Sequence, residues 1–334
     1  MATLKIGIIG LGVGEQHIAG YRAHAHARVV VLCDIDAEKR DMARSRYPEC
    51  KVVSQAAEVL RDPEIDVVSI ASYDDCHAAE VLEALQEGKH VFVEKPLCLY
   101  PDEAKAIRSE LKRRPNLSLS SNLILRKSPR FLYLREKIQA GDLGELFYLE
   151  GAYNYGRLRK LTHGWRGKID LYSVVYGGGV HIIDLLLWLT GERIVEVSAF
   201  GNGIATRDTA FRHNDMVVAI LRCESGVIGK ISCNFGCVGP HFHELAVYGT
   251  EATFVNRLEG GFLTSSRDPD QVPEMIPGTH RSVPKGALIT SFLDGILGLG
   301  TAEVTADDVF EAMSACFAIE QAVREPGKVA VEAF

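Results

Sequence analysis

Hydrophobic and polar positions change their rhythm once along the chain, close to residue 122. Before that point apolar residues come in short unbroken runs: Leu4-Lys5-Ile6-Gly7-Ile8-Ile9, Arg28-Val29-Val30-Val31-Leu32-Cys33, Ile65-Asp66-Val67-Val68-Ser69-Ile70-Ala71 and Lys89 to Val93. Runs this short and this rich in β-branched residues read as strands buried on both faces. Helix-like stretches lie between them, such as Cys76 to Glu87 closed by Gly88. Alternation of this kind predicts right-handed crossovers and a parallel sheet, extended by a helix from about Asp102 and a strand Leu117-Ser118-Leu119-Ser120.

Beyond residue 122 the period shortens to two. Glu145-Leu146-Phe147-Tyr148-Leu149-Glu150-Gly151-Ala152-Tyr153 alternates, and so do segments around 194–200, 215–222, 227–235, 243–249 and 252–256. Few helices separate them, so the pattern predicts a large, mostly antiparallel sheet with one face on helices and the other open. Helices are expected from about Gly178 to Leu189, Gly286 to Leu297 and Thr305 to Val323, with a loop-rich stretch from Gly156 to Val175. The fold class is therefore α/β: a first domain over 1–122 and an α+β domain over 123–334. Two domains of this size leave room for a cleft. Runs such as Val217-Val218-Ala219-Ile220 on the open face predict a homodimer or homotetramer.

The chemistry gathers at strand ends. The first strand runs into Gly10-Leu11-Gly12-Val13-Gly14, where Gly10 permits a tight turn, Gly12 lets backbone approach a pyrophosphate, and the next helix offers N–H donors. The third glycine of the full motif is replaced by Glu15. The second strand ends at Asp34, about 20 residues after the glycines, where a carboxylate accepts from a ribose diol and repels a 2'-phosphate. This favours NAD over NADP, although Lys39 and Arg40 follow closely. Val91-Phe92-Val93 ends in Glu94-Lys95-Pro96, and Pro96 holds Lys95 extended at the carboxyl edge, where open α/β sheets bind ligands.

Composition narrows the remaining classes. With 47% hydrophobic and 24% charged residues the chain is an ordinary globular protein, and a net charge of -7 offers no basic field for nucleic acid or an anionic membrane. No apolar run reaches bilayer length, the start carries no signal-type region, and eight scattered Cys without a CxxC suit reduced thiols. The expected location is the cytoplasm. Cys233, Cys237, His241 and His243 share one parity, but their spacing is not that of a zinc finger and no metal is expected. His24 and His26 read as solvated.

The order and spacing of Gly10-Leu11-Gly12 with His17, Asp34, Ser72-Tyr73-Asp74-Asp75-Cys76-His77, Glu94-Lys95-Pro96, Asn122 with Arg126, and Gly177-Gly178-Gly179-Val180-His181-Ile182-Ile183-Asp184 resemble the glucose-fructose oxidoreductase, inositol dehydrogenase and rhizopine-catabolism family, Gfo/Idh/MocA. The resemblance runs nearly end to end. It implies an N-terminal Rossmann domain, a C-terminal domain whose open sheet mediates oligomerisation, and NAD(P)-dependent oxidation of a sugar, nucleotide sugar or cyclitol. It implies Lys95 and His181 as the acid–base pair. Cofactor contacts are expected from Gly10, Gly12, Val13, Gly14, Asp34, Ile35, Ser72, Tyr73, His77, Glu94, Lys95, Asn122, Trp165 and Arg166. Substrate contacts are expected from Lys95, Tyr153, Arg157, His181 and Asp184.

Two departures stand out. Many members carry an Asp four residues before the His, where this chain has Gly177, leaving Asp170, Tyr172 and Tyr176 as stand-ins. The family's Thr-Pro-Asn is here Ser72-Tyr73-Asp74. Two further readings stay open: an enzyme that keeps NAD bound and cleaves glycosides through transient oxidation, and a non-catalytic dinucleotide-binding regulator.

Overall fold

A computed structural model describes residues 3–276, 278, 283–325 and 327–334. The chain divides into two compact units, Met1–Ile124 with Pro284–Phe310 and Phe334, and Leu125–Val283 with Glu311–Ala333.

The first unit is built on six parallel strands, β1 (Leu4–Ile9), β2 (Ala27–Cys33), β3 (Lys51–Val53), β4 (Val67–Ile70), β5 (His90–Val93) and β6 (Leu119–Ser121), in the order β3-β2-β1-β4-β5-β6. Helices α1 (His17–Arg22), α2 (Ala37–Arg46), α3 (Ala57–Leu60), α4 (His77–Gln86) and α5 (Pro101–Arg113) form the crossovers. All four residues of β4 are buried, as the unbroken apolar run requires of a strand covered on both faces. The order reverses at β1, which pairs with both β2 and β4, so this sheet has the switch point at which such folds open a ligand crevice. Local signals set the helix starts: Asp36 accepts from the Glu38 N–H, and Glu103 accepts from the N–H groups of Leu99 and Tyr100.

The second unit holds α6 (Pro129–Gln139), α7 (Arg159–Thr162), α8 (Val180–Thr190) and a nine-stranded sheet. Its strands are β7 (Leu146–Asn154), β8 (Ile194–Asn202), β9 (Met216–Cys223), β10 (Ile228–Asn234), β11 (Phe242–Gly249), β12 (Thr253–Asn256), β13 (Gly261–Thr264), β14 (Glu274–Ile276) and β15 (Val329–Ala330). Among the described residues only β7 and β10 run parallel; the other neighbours are antiparallel, so the expected mostly antiparallel sheet is what forms. Along β9, Val217, Ala219, Leu221 and Cys223 are buried, while Val218 is half-buried and Ile220 exposed. This corrects the expectation that all of 217–220 lies on the open face: strand period allows only Val218 and Ile220 there. In register across that face run Ser198, Ile220, Lys230, Glu150, Ala246, Val255, Phe262 and Met275.

The chain closes with α9 (Ile289–Leu297) and α10 (Ala306–Arg324). Residues 284–310 were expected in the second domain and instead group with the first unit. The reason is packing. Phe292 of α9 meets Phe92 of β5 at a ring separation of 5.6 Å, and a Cβ on Gly20 of α1 would lie 2.5 Å from the Gly286 carbonyl, an approach only glycine permits. His24, read as solvated, is buried and lies 3.2 Å from Asp294 of the same segment.

Candidate active site

The glycine turn and the end of β2 form one structure. Gly10 has φ of +86°, and a Cβ there would fall 2.2 Å from the Ala71 carbonyl, so no other residue fits the turn. Leu11 N–H donates to Asp34 Oδ2 at 2.7 Å and Asp36 N–H to Asp34 Oδ1 at 2.8 Å, which fixes the buried Asp34 carboxylate against the turn. Above Gly12 the space is open: a Cβ there would meet nothing nearer than Lys39 Nζ at 3.9 Å. Val13 and the buried Gly14 lead into α1, and the exposed Ile35 offers an apolar face beyond Asp34. Glu15, in the third glycine position, is held by Arg46 at 2.8 Å and Tyr47 at 3.2 Å. An open cradle, N–H donors and a fixed carboxylate fit a dinucleotide.

At the end of β5 a buried polar chain fixes the next turn. His17 lies 2.9 Å from Ser69 Oγ and 3.2 Å from Glu94 Oε1; Asn122 donates to Glu94 at 2.6 Å and to the Lys285 carbonyl at 3.1 Å. Burial alone would raise the Glu94 pKa, but the His17 hydrogen bond and the charges of His17, Lys285 and Lys95 outweigh it and hold the carboxyl well below the usual range. The half-buried Lys95 thus follows a fixed anion. His77 places one ring nitrogen 2.6 Å from the Pro96 carbonyl and the other 3.3 Å from that of Ser72, tying the β4–α4 turn to Pro96. Ser72 donates to Glu80 at 2.6 Å, Tyr73 is exposed and Asp74 is buried.

In the second unit a wide five-residue turn, Val175–Gly179, carries the chain into α8 and His181. A Cβ on Gly177 would sit 2.2 Å from the Tyr172 hydroxyl. Tyr172 therefore takes the room that an Asp at 177 would need, while Tyr176 packs edge-on to Phe317 and Asp170 is exposed. His181, buried, stacks on Tyr153 with ring centres 6.1 Å apart, and Tyr153 continues the stack to Tyr155 at 6.1 Å. Burial raises the Tyr153 pKa, so its phenol stays protonated. Arg157 lies over Tyr155 at 5.6 Å, and Arg166 over Trp165 at 4.7 Å and Tyr172 at 5.9 Å. Asp184 of α8 is fully buried, and both its oxygens accept from Arg126, the shortest bond being 2.6 Å.

Cys233 is buried, Cys237 accepts from the Gly156 N–H, and His241 and His243 pack edge-on to Tyr153 at 5.1 and 5.0 Å. Among the described residues no group of three or more His, Cys, Asp or Glu is placed to hold a metal ion, and no helix is long and apolar enough to cross a membrane. Tyr155 was not among the expected substrate contacts, although period two from Tyr153 puts it on the same side of the strand. It also missed the Ser69–His17–Glu94–Asn122 chain, whose members lie far apart in sequence.

Residues 4–122 match the oxidoreductase family with an NAD-binding Rossmann fold, and residues 131–255 match the GFO/IDH/MocA C-terminal domain. Inositol 2-dehydrogenase 2 of Saccharopolyspora erythraea is 28% identical over 233 residues, 68% of this chain and 65% of that protein, so the match spans just under two thirds of that relative. Inositol 2-dehydrogenase of Ralstonia nicotianae is 24% identical over 99% of this chain and 96% of its own. Among solved structures, levoglucosan dehydrogenase in complex with NADH superposes with a TM-score of 0.87 at 20% identity, covering 99% of this chain and 100% of its own. Myo-inositol 2-dehydrogenase from Lactobacillus plantarum gives 0.84 at 22%, with coverage of 99% and 100%. These two likenesses establish the fold.

Proposed function

The chain belongs to the GFO/IDH/MocA oxidoreductase family, and from that premise we propose that it is an NAD-dependent dehydrogenase of a secondary alcohol on a sugar, nucleotide sugar or cyclitol. The observation that carries the reading is one sheet edge bearing both the Gly10–Asp34 dinucleotide turn and Lys95 beside a buried, charged Glu94. The relatives named inositol 2-dehydrogenase support the substrate class.

In this reading Gly10, Gly12, Val13 and Gly14 cradle the pyrophosphate, Asp34 and Ile35 hold the adenosine end, and Ser72, Tyr73, His77, Glu94, Asn122, Trp165 and Arg166 shape the rest of the cofactor site. Bound NAD would supply the hydride acceptor. The Lys95 ammonium lowers the pKa of the reacting hydroxyl, and His181 accepts its proton as the carbinol becomes a ketone. Tyr153 and Arg157 contact the substrate. Asp34 makes NAD the preferred form over NADP. We further propose that the open face of the second sheet, with Phe200, Ile220, Ile228 and Met275 exposed, pairs with another copy of the chain.

NADH formation at 340 nm over a panel of cyclitols, sugars and nucleotide sugars tests the activity. Turnover of at least one is expected. Firm NAD binding with no NADH from any would overturn it. Light scattering at micromolar protein should give a dimer or tetramer, and a monomer would remove the pairing.

A further inference from the structure

Between Glu150 and Asp170 the chain contains no carboxylate but five basic residues, Arg157, Arg159, Lys160, Arg166 and Lys168, in a protein whose net charge is -7. Several surface cations elsewhere pair with acids: Arg22 with Glu49, Arg61 with Glu83, Arg193 with Glu224 and Arg222 with Glu196. Among the described residues no ion pair forms at Arg157 or Lys160.

The segment is folded tightly, which is why its charges converge. Lys160 N–H donates to the Arg157 carbonyl at 2.9 Å, placing the two residues one turn apart. A Cβ on Gly164 would lie 2.4 Å from the Lys160 carbonyl and one on Gly167 2.5 Å from that of Leu161, so the chain doubles back and carries Arg166 toward Lys160. Buried Leu161 anchors the turn, Trp165 meets Tyr172 edge-on at 6.2 Å, and Arg166 lies across both rings. Desolvation of the exposed Lys160, and then the charges of Arg157 and Arg166, lower its pKa. Like charges held together in this way cost free energy unless an anion joins them.

Arg157 lies on the Tyr155 ring, and Tyr155 continues through Tyr153 to His181, so the cluster adjoins the residues assigned to the substrate. We propose that Arg157, Lys160 and Arg166 form an anion-binding subsite, and that the substrate is a sugar or cyclitol bearing a carboxylate or phosphate. The proposal rests on the dehydrogenase reading and narrows its substrate class. Arg166 is also assigned to the cofactor site, so binding of the cofactor's phosphates and of a substrate anion must be separated.

Calorimetry on the NADH-bound protein with glucuronate, glucose 6-phosphate, inorganic phosphate and glucose makes the test. At low salt at least one of the two sugar anions should bind about tenfold or more tighter than glucose, and the advantage should shrink in 0.5 M NaCl, as charge-assisted contacts do. The double variant Arg157→Gln/Lys160→Gln should lose that advantage with an unchanged melting temperature and NAD affinity within about twofold, and Arg157→Lys should keep most of it. The proposal is overturned if glucose binds as well as the anions, if no anion binds, if the preference survives the double variant, or if that variant weakens NAD instead. Anion binding without NADH formation from any alcohol would refute the dehydrogenase reading and leave the anion subsite standing.

Discussion

In the first sheet β4 and the body of β5 are buried throughout, and the charged and polar groups stand where strands stop: Asp34 after β2, Glu94 after β5, Asn122 after β6. In the second sheet charges run across the open face, with Lys230 against Glu150 and Arg222 against Glu196, and the buried ion pair Arg126–Asp184 lies behind it. A sheet covered on both sides has no place for a charge except its edge, where partners must be supplied from the interior. A sheet with an open face can leave charges half in water, where they contribute little to stability. Charged and polar groups are therefore concentrated at the edge of the first sheet, while the second carries charges across its open face.

The largest effect should come from taking the same kind of charge away in the two settings. Asp184→Ala takes the buried carboxylate away from the Arg126 guanidinium and should cost about 3–5 kcal/mol, whereas Glu150→Ala, where both partners are half in water, should cost less than about 1 kcal/mol. Urea unfolding of both variants measures this, and equal costs would remove the distinction.

Next in size is catalysis. Lys95→Ala should slow the chemical step by about 100-fold or more with NAD binding intact, and His181→Ala should act similarly. Normal turnover of either would make that residue structural, and Tyr172, whose hydroxyl fills the room beside Gly177, becomes the candidate to replace it.

A third test concerns acid stability. The Glu94 pKa is lower in the folded protein than in the unfolded chain, so its contribution is present above the ordinary carboxylate pKa near 4.3 and lost as pH falls below it. Glu94→Gln should lower stability by about 2 kcal/mol at neutral pH and flatten the acid limb of a melting-temperature profile. A profile parallel to the parent's would show that Glu94 is not held charged by His17 and its other partners.

The smallest effect is at the far strand end. Asp34→Ser should narrow the preference for NAD over NADP by about tenfold, read by fluorescence titration of both. Tighter NADP binding by the unaltered protein would contradict the role given to Asp34.

Much of this was legible beforehand. Segments read as strands at 194–200, 215–222, 227–235, 243–249 and 252–256 became β8 to β12 with small shifts at their ends. The glycine turn and Asp34 were equally clear. β3, β13, β14 and β15, of two to four residues each, were not read.

The sequence by itself determined what depends on neighbours along the chain: the β-α alternation, the switch to period two after residue 122, the turn that only Gly10 can make, and the basic stretch without a carboxylate. The tertiary structure decided what depends on residues far apart. It put 284–310 with the first unit, buried His24 against Asp294, gave Asp184 to Arg126, and set Tyr172 in the space beside Gly177. Local pattern reflects backbone preference and which face is apolar, while the partner a buried polar group acquires is settled by close packing, which no short window of sequence contains.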